Sequence, residues 1–130
     1  MGFTLIELMV VIAIIGILAT IVVPRFMSSV GESKRVAAIA QINVFKTMLT
    51  SYKLSFKKYP TSGEGLEALL HTPKGNLLDS DTVPLDPWGN KYSYTCPGSH
   101  SDFDIVAYGE DGQPGGDGEN ADVESWNLNK

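Results

Sequence analysis

A disulfide is the first thing this chain cannot have. Cys96 is its only cysteine, so no internal bridge can staple the fold. Histidine is almost as scarce. His71 and His100 are the two present, neither has a Cys, His or Glu at metal-ligand spacing, and both read as surface residues. No Gly-x-Ser-x-Gly elbow, phosphate loop or paired catalytic acids occur in a usable frame, so the chain reads as a non-enzyme. Basic residues interleaved with aromatics, the mark of a nucleic-acid surface, are missing too. Cys96, beside Pro97 at an expected strand end, reads as a small packed residue, and Trp88 and Trp126 read as core.

Charge is missing from the beginning of the chain. Phe3 to Val23 is a run of 21 residues with one charge, Glu7. As a helix it would span about 31 Å, the thickness of a bilayer's hydrocarbon core. A carboxylate toward the bilayer centre costs about 2.5–3.5 kcal/mol on insertion scales, so it needs a partner. The first basic residue is Arg25. The candidate partner is therefore a free amino group, on this chain or on another copy. A cleaved secretory signal would show a basic start, a shorter apolar core and a small-residue cleavage site, and none of these is present.

The opening Gly2-Phe3-Thr4-Leu5-Ile6-Glu7 and its apolar continuation resemble the N-terminus of the type IV pilin superfamily. That resemblance implies cleavage between Gly2 and Phe3 by a prepilin peptidase, with N-methylation of Phe3. It also implies that Glu7 faces the Phe3 amino group of a neighbouring subunit during filament assembly. Arg25, Lys34 and Arg35 would by themselves hold the C-terminal side in the cytoplasm. A longer basic leader, usual in the family, reverses that bias, so the natural precursor is expected to start upstream of Met1.

Pro24 removes one ladder hydrogen bond and should kink or loosen the helix rather than end it. Beyond it Val36, Ile39, Ile42, Phe45, Met48, Leu49, Tyr52 and Phe56 recur at helical steps, with Lys34, Arg35, Gln41, Lys46, Lys53 and Lys57 largely opposite. One helix is expected from about Thr4 to Phe56, apolar all round at first and amphipathic later. Tyr59-Pro60 stops it. A short helix is expected over Gly63 to His71, and a turn at Asp86-Pro87-Trp88-Gly89-Asn90. Strands are expected over Lys91–Cys96 and Phe103–Tyr108, paired as an antiparallel hairpin.

Net charge is −5, but the acidity is local. Residues 108–126 hold Glu110, Asp111, Asp117, Glu119, Asp122 and Glu124 and no base. Without those six, nine acids face ten bases. Crowded carboxylates on a glycine-rich loop repel unless a cation gathers them, and all-oxygen ligands with flexible spacing suit Ca²⁺ better than Zn²⁺. Asp111, Asp117 and Asp122 fit positions one, seven and twelve of an EF-hand frame. Gly115 fails at five, the terminal Glu is lacking and no helices flank the loop. On the residues alone, a calcium loop of another kind and a solvated acidic loop both stay open. The globular part of roughly 75 residues is of a size that often needs a staple.

The second half narrows the resemblance. Tyr59-Pro60-Thr61, Gly65-Leu66-Glu67-Ala68-Leu69, Leu85-Asp86-Pro87-Trp88-Gly89-Asn90, Pro97-Gly98, Asp104-Ile105 and Gly109-Glu110-Asp111-Gly112 are similar to the major pseudopilin (GspG) family of type II secretion systems. The resemblance implies an α+β fold: a long N-terminal helix, transmembrane in its first half, packed on a small antiparallel sheet head with a calcium loop. A short third strand is expected near Val123 to Asn127. Residues 1–2 read as a leader remnant, 3–24 as the transmembrane and filament-core helix, 25–58 as its amphipathic continuation and 59–130 as the periplasmic head. The implied cofactor is a structural Ca²⁺, held by Asp111 and Asp122 side chains and by Tyr108 and Gln113 carbonyls, with Asn120 and Asp117 as weaker candidates.

The implied function is that of the major structural subunit of a pseudopilus. The subunit is single-pass in the inner membrane, in contact with lipid before assembly, and polymerises into a helical filament of like copies. Minor pseudopilins and an inner-membrane assembly platform are its further partners, and nucleic acid is not one. Filament growth would push folded proteins through an outer-membrane secretin. The alternatives are a type IV pilin of an adhesion or motility filament and a membrane-anchored calcium-binding module.

Overall fold

The computed structural model describes residues 2–128. Met1, half of the expected leader remnant, and the last two residues of the expected head lie outside the described residues. The order of elements is helix α1 (Leu5–Phe56), strand β1 (Ser93–Thr95), strand β2 (Asp104–Ala107) and strand β3 (Val123–Glu124), with single 3-10 turns at Leu66–Leu69 and Gly118–Asn120. Two compact units divide at Ser33 and Lys34.

In the first unit α1 is exposed on every side. Leu5, Ile6, Leu8, Met9, Ile12, Ile15 and Ile17 are each more than half exposed, as is every large apolar residue from Phe26 to Met27. The helix continues through Pro24, as expected for a proline that costs one ladder bond without ending the helix. Thr20 Oγ1 donates to the Ile17 carbonyl at 2.7 Å, so this hydroxyl is satisfied without water, as a lipid-facing group must be.

In the second unit one stripe of α1 is buried. Ala38, Ile42, Phe45 and Leu49 are completely covered, and Ile39, Met48 and Tyr52 flank them. Val36 falls outside the core and is mostly exposed. Against the stripe pack Leu66, Leu69, Leu70 and Leu78 from the connecting segment, and Tyr92, Phe103, Ile105, Ala107 and Val123 from the sheet region. Phe45 meets Tyr92 edge-on, with ring centroids 5.1 Å apart, a favoured aromatic geometry.

α1 ends at Phe56. Lys57 takes a left-handed backbone (φ 66°) and its N–H returns to the Lys53 carbonyl at 2.7 Å, a C-terminal cap. The chain then turns at Tyr59-Pro60. The helix expected over Gly63 to His71 is shorter than expected: only Leu66–Leu69 forms, as one 3-10 turn. Gly65, at φ 64°, interrupts the α-helical path just before it. Thr61 and Glu64 cap each other in front of that glycine: Thr61 N–H donates to Glu64 Oε2 at 2.9 Å and Glu64 N–H to Thr61 Oγ1 at 3.2 Å.

The sheet has the order β1-β2-β3, antiparallel throughout. Tyr94 stands opposite Ile105, and Ala107 opposite Val123. Each strand is shorter than its β-forming run, because the Pro97–Ser101 loop and the acidic loop take over at the ends. Past β3, the Ser125 N–H donates to the Ile105 carbonyl at 2.8 Å and Ser125 Oγ accepts from Ile105 N–H at 2.9 Å. A side chain thus extends the ladder by one rung. Side chains alternate across a strand, so Ile105 and Ala107 join the core while Asp104 lies on the other face.

Candidate functional site

Two places collect chemistry, one in each unit. The first is the start of α1. Thr4 N–H donates to Glu7 Oε2 at 2.8 Å, Thr4 Oγ1 donates to the same oxygen at 3.0 Å, and Glu7 N–H donates to Thr4 Oγ1 at 3.2 Å. This is a capping box, which satisfies helix-start groups reciprocally. Glu7 therefore has a second job that the sequence reading did not assign. Its signal was legible, since Thr-x-x-Glu before an apolar run is the capping-box pattern. Phe3, the residue next to the expected cut, is almost fully exposed. Among the described residues, no basic side chain contacts Glu7.

The second place is the acidic loop between β2 and β3. It folds back on itself: Glu110 N–H donates to the Glu119 carbonyl at 3.0 Å and Gly112 N–H to the Gly109 carbonyl at 3.4 Å. Gly109 sits at φ 75°, and a Cβ there would lie 2.8 Å from the Glu119 and Asn120 carbonyl oxygens. Any side chain would push the two arms apart. The loop's arms thus bring Gly109 and Glu110 beside Glu119 and Asn120.

Within this fold-back, Asp111 Oδ1 accepts from Gln113 N–H at 3.1 Å and Asp122 Oδ2 from Gly115 N–H at 2.9 Å. Asp122 Oδ1 is buried and has no hydrogen-bond partner among the described residues. An orphaned, buried carboxylate oxygen is costly unless something positive meets it. Asp117 caps the Gly118–Asn120 turn from outside, and Asn120 N–H donates to its carbonyl. Among the described residues, no three His, Cys, Asp or Glu side chains converge to hold a metal. A cation here would take its charge from two carboxylates and its remaining ligands from carbonyls. The donor set is all oxygen, and that much fits a hard cation such as Ca²⁺. Nearby, the Glu119 carboxyl is pushed above its ordinary range, first by its hydrogen bond with Glu110, then by burial and by the Glu110 charge; Lys34 opposes the shift. The crowding expected of six acids is thus felt at this pair.

His100 lies at the surface as expected, whereas the reading of Trp126 as core is corrected. The His100 ring stacks on Trp126 at 3.8 Å, nearly parallel, and its Nδ1 lies 3.1 Å from Asp104 Oδ2. The same oxygen accepts from the Ser99 and His100 N–H groups at 2.8 and 3.2 Å. Burial pushes the Asp104 carboxyl up, but the bonds from the His100 ring, Ser99 and the His100 backbone outweigh it and hold Asp104 below the ordinary range. Trp126 is thus a cover for this cluster and lies outside the core. Cys96 packs against the core and is half-buried. His71 is exposed, as expected.

The family follows from comparison with known proteins. The family model described as type II secretion system protein G matches residues 25–126, and the prokaryotic N-terminal methylation motif matches residues 2–23. The chain belongs to the type II secretion system protein G family. It is 42% identical to type II secretion system core protein G of Pseudomonas aeruginosa, covering 96% of this chain and 94% of that protein. The Vibrio cholerae core protein G is 40% identical, with 98% and 92% covered. The crystal structure of the major pseudopilin from the type 2 secretion system of enterohaemorrhagic Escherichia coli superposes with a TM-score of 0.66 at 30% identity. It covers 81% of this chain and 96% of that one. The long apolar helix with a three-stranded antiparallel sheet is thus a pseudopilin fold. With its methylation motif and a helix apolar on all sides, this family member is a membrane-anchored, periplasmic protein that assembles with other secretion components.

Proposed function

We propose that this chain is the major structural subunit of a periplasmic pseudopilus and that Glu7 drives its assembly. A prepilin peptidase cuts between Gly2 and Phe3 and the new Phe3 amine is methylated. The subunit waits in the inner membrane with its head in the periplasm. An inner-membrane assembly platform and minor pseudopilins then help draw it into a helical filament of like copies. Growth of the filament pushes folded proteins through an outer-membrane secretin.

The observation that carries this reading is one acid within the otherwise apolar stretch from Phe3 to Val23, which is exposed on all sides. Both intrachain bonds to the Glu7 side chain fall on Oε2 and come from neutral donors, so its negative charge still needs a cation. In a filament each helix brings such a cation, the amine of Phe3. Substituting Glu7→Ala should leave insertion and cleavage intact and abolish most filament growth. Filaments at wild-type yield would refute the pairing.

The acidic loop is the head's staple in this reading. Asp111 and Asp122 would hold a Ca²⁺ by their side chains, with Tyr108 and Gln113 offering carbonyls and Asn120 and Asp117 standing as further candidates. The cation supplies charge neutralisation and cross-links two arms of one loop. Support comes from the buried, orphaned Asp122 Oδ1 and from the absence of any disulfide.

A further inference from the structure

We propose that Asn90 is the positioning residue of the cation loop, a strut that holds the Asp111 turn in its ligating shape from a different part of the head. The proposal rests on the calcium reading above.

Asn90 is fixed first by its own backbone. Its N–H donates to Asp86 Oδ1 at 2.8 Å, and its carbonyl accepts from Asp86 N–H at 2.8 Å. Asp86 Oδ1 also accepts from Trp88 N–H at 3.1 Å, and the Asp86 carbonyl accepts from Gly89 N–H at 2.9 Å. Asp86 is buried. The five-residue turn is therefore bolted at both ends, and the Asn90 side chain leaves it in one direction.

That side chain crosses to the acidic loop, 19 residues on. Nδ2 donates to the Gly109 carbonyl at 3.1 Å. A Cβ on Gly112, which sits at φ 64°, would lie 3.3 Å from Nδ2 and 3.4 Å from Oδ1. The amide thus bonds Gly109 and stands beside the open face of Gly112, where a side chain would crowd it. Those two glycines bracket Glu110 and Asp111 and are joined by the Gly112 N–H to Gly109 carbonyl bond. The Asn90 bond also occupies the Gly109 carbonyl, which orients the peptide and leaves the neighbouring Tyr108 carbonyl as the candidate donor.

Outer groups of this kind orient metal ligands, and their loss typically costs 10–100-fold in affinity. An apo loop crowded with carboxylates has every electrostatic reason to spread. A neutral amide is suited to hold it, since it supplies a donor without adding a charge to repel or compete for the cation.

The test is calcium binding by the full chain in detergent, with Ca²⁺ itself as the probe and melting in excess chelator as the second readout. Asn90→Ala should raise the Ca²⁺ Kd about tenfold or more, with only a small change in the chelator melting temperature. Asn90→Leu, which keeps bulk but has no donor, should behave alike. Tyr94→Phe is the control: its hydroxyl donates to the Pro60 carbonyl at 2.7 Å, so its loss should lower the chelator melting temperature and leave the Kd alone. A wild-type Kd in both Asn90 variants would overturn this proposal and leave the calcium reading standing. So would a rise in Kd matched by Tyr94→Phe at equal loss of stability. No Ca²⁺ binding by the wild-type chain would overturn both.

Discussion

Up to Ser33, α1 shows large apolar side chains on every side, and nothing in its own unit covers them. From Lys34 onward the same helix shows one covered stripe, Ala38-Ile42-Phe45-Leu49, and a remainder in which polar residues are mixed with exposed Val36, Val44 and Leu54. One element thus lives by two rules. The later half is buried by the chain that made it. The earlier half must find its cover outside that chain, in lipid or in other copies. The difference predicts that damage to each half appears in a different assay.

The largest separation is expected from Glu7→Ala. Filament yield should fall to a small fraction of wild type, while the melting of the head in detergent stays unchanged; electron microscopy of assembled material and thermal melting read the two. Phe45→Ala should do the reverse. Removing a fully buried aromatic costs about 3–5 kcal/mol, so urea unfolding of the head should shift strongly while membrane insertion is untouched. Equal effects of either variant on both readouts would erase the comparison.

Calcium should act on the head alone. A ligand bound only by the folded state adds about 2.7 kcal/mol at 100 times its Kd. A chelator should therefore lower the melting temperature of the head's transition in the full chain, and unchanged melting would remove the cation from the account. A smaller effect is expected from Asp104. Its folded carboxyl lies below the unfolded value near 3.9, so its contribution is fully present above that value. The contribution is lost as pH falls from there through the lower folded one. Asp104→Asn should cost about 1.5–3 kcal/mol at neutral pH, the range for hydrogen bonds to a charged group. It should also flatten the acid limb of stability against pH, which urea melts at a series of pH values would record.

The comparison also explains what could be read in advance. Local period carried the long helix, its apolar first half and the Phe45-centred stripe, because burial follows a 3.6-residue repeat. Alternating β-formers around Pro97-Gly98 carried the β1–β2 pairing, and Val123 was placed in a short third strand. Val36 follows the same repeat yet lies outside the head's core, since period alone does not say where cover begins. Leu66, Ala68 and Leu69 favour a helix over Gly63 to His71, while the positive φ of Gly65 breaks it. Contacts between distant residues left no local trace. The His100–Asp104–Trp126 cluster depends on a loop folding over β2, and the Asn90 amide depends on two turns meeting across 19 residues. The Thr4–Glu7 cap was legible but hidden behind the more conspicuous question of the acid's charge. Of the proposed cation site, sequence offered the acids and their crowding; the orphaned Asp122 Oδ1 needed the fold.

A helical reconstruction of the assembled filament at side-chain detail tests the central claim most directly. The account predicts the Glu7 carboxylate within about 4 Å of the methylated Phe3 amine of a neighbouring copy, with the apolar halves of α1 packed together around them. A Glu7 carboxylate well beyond that distance from every Phe3 amine, or open to water, would contradict it.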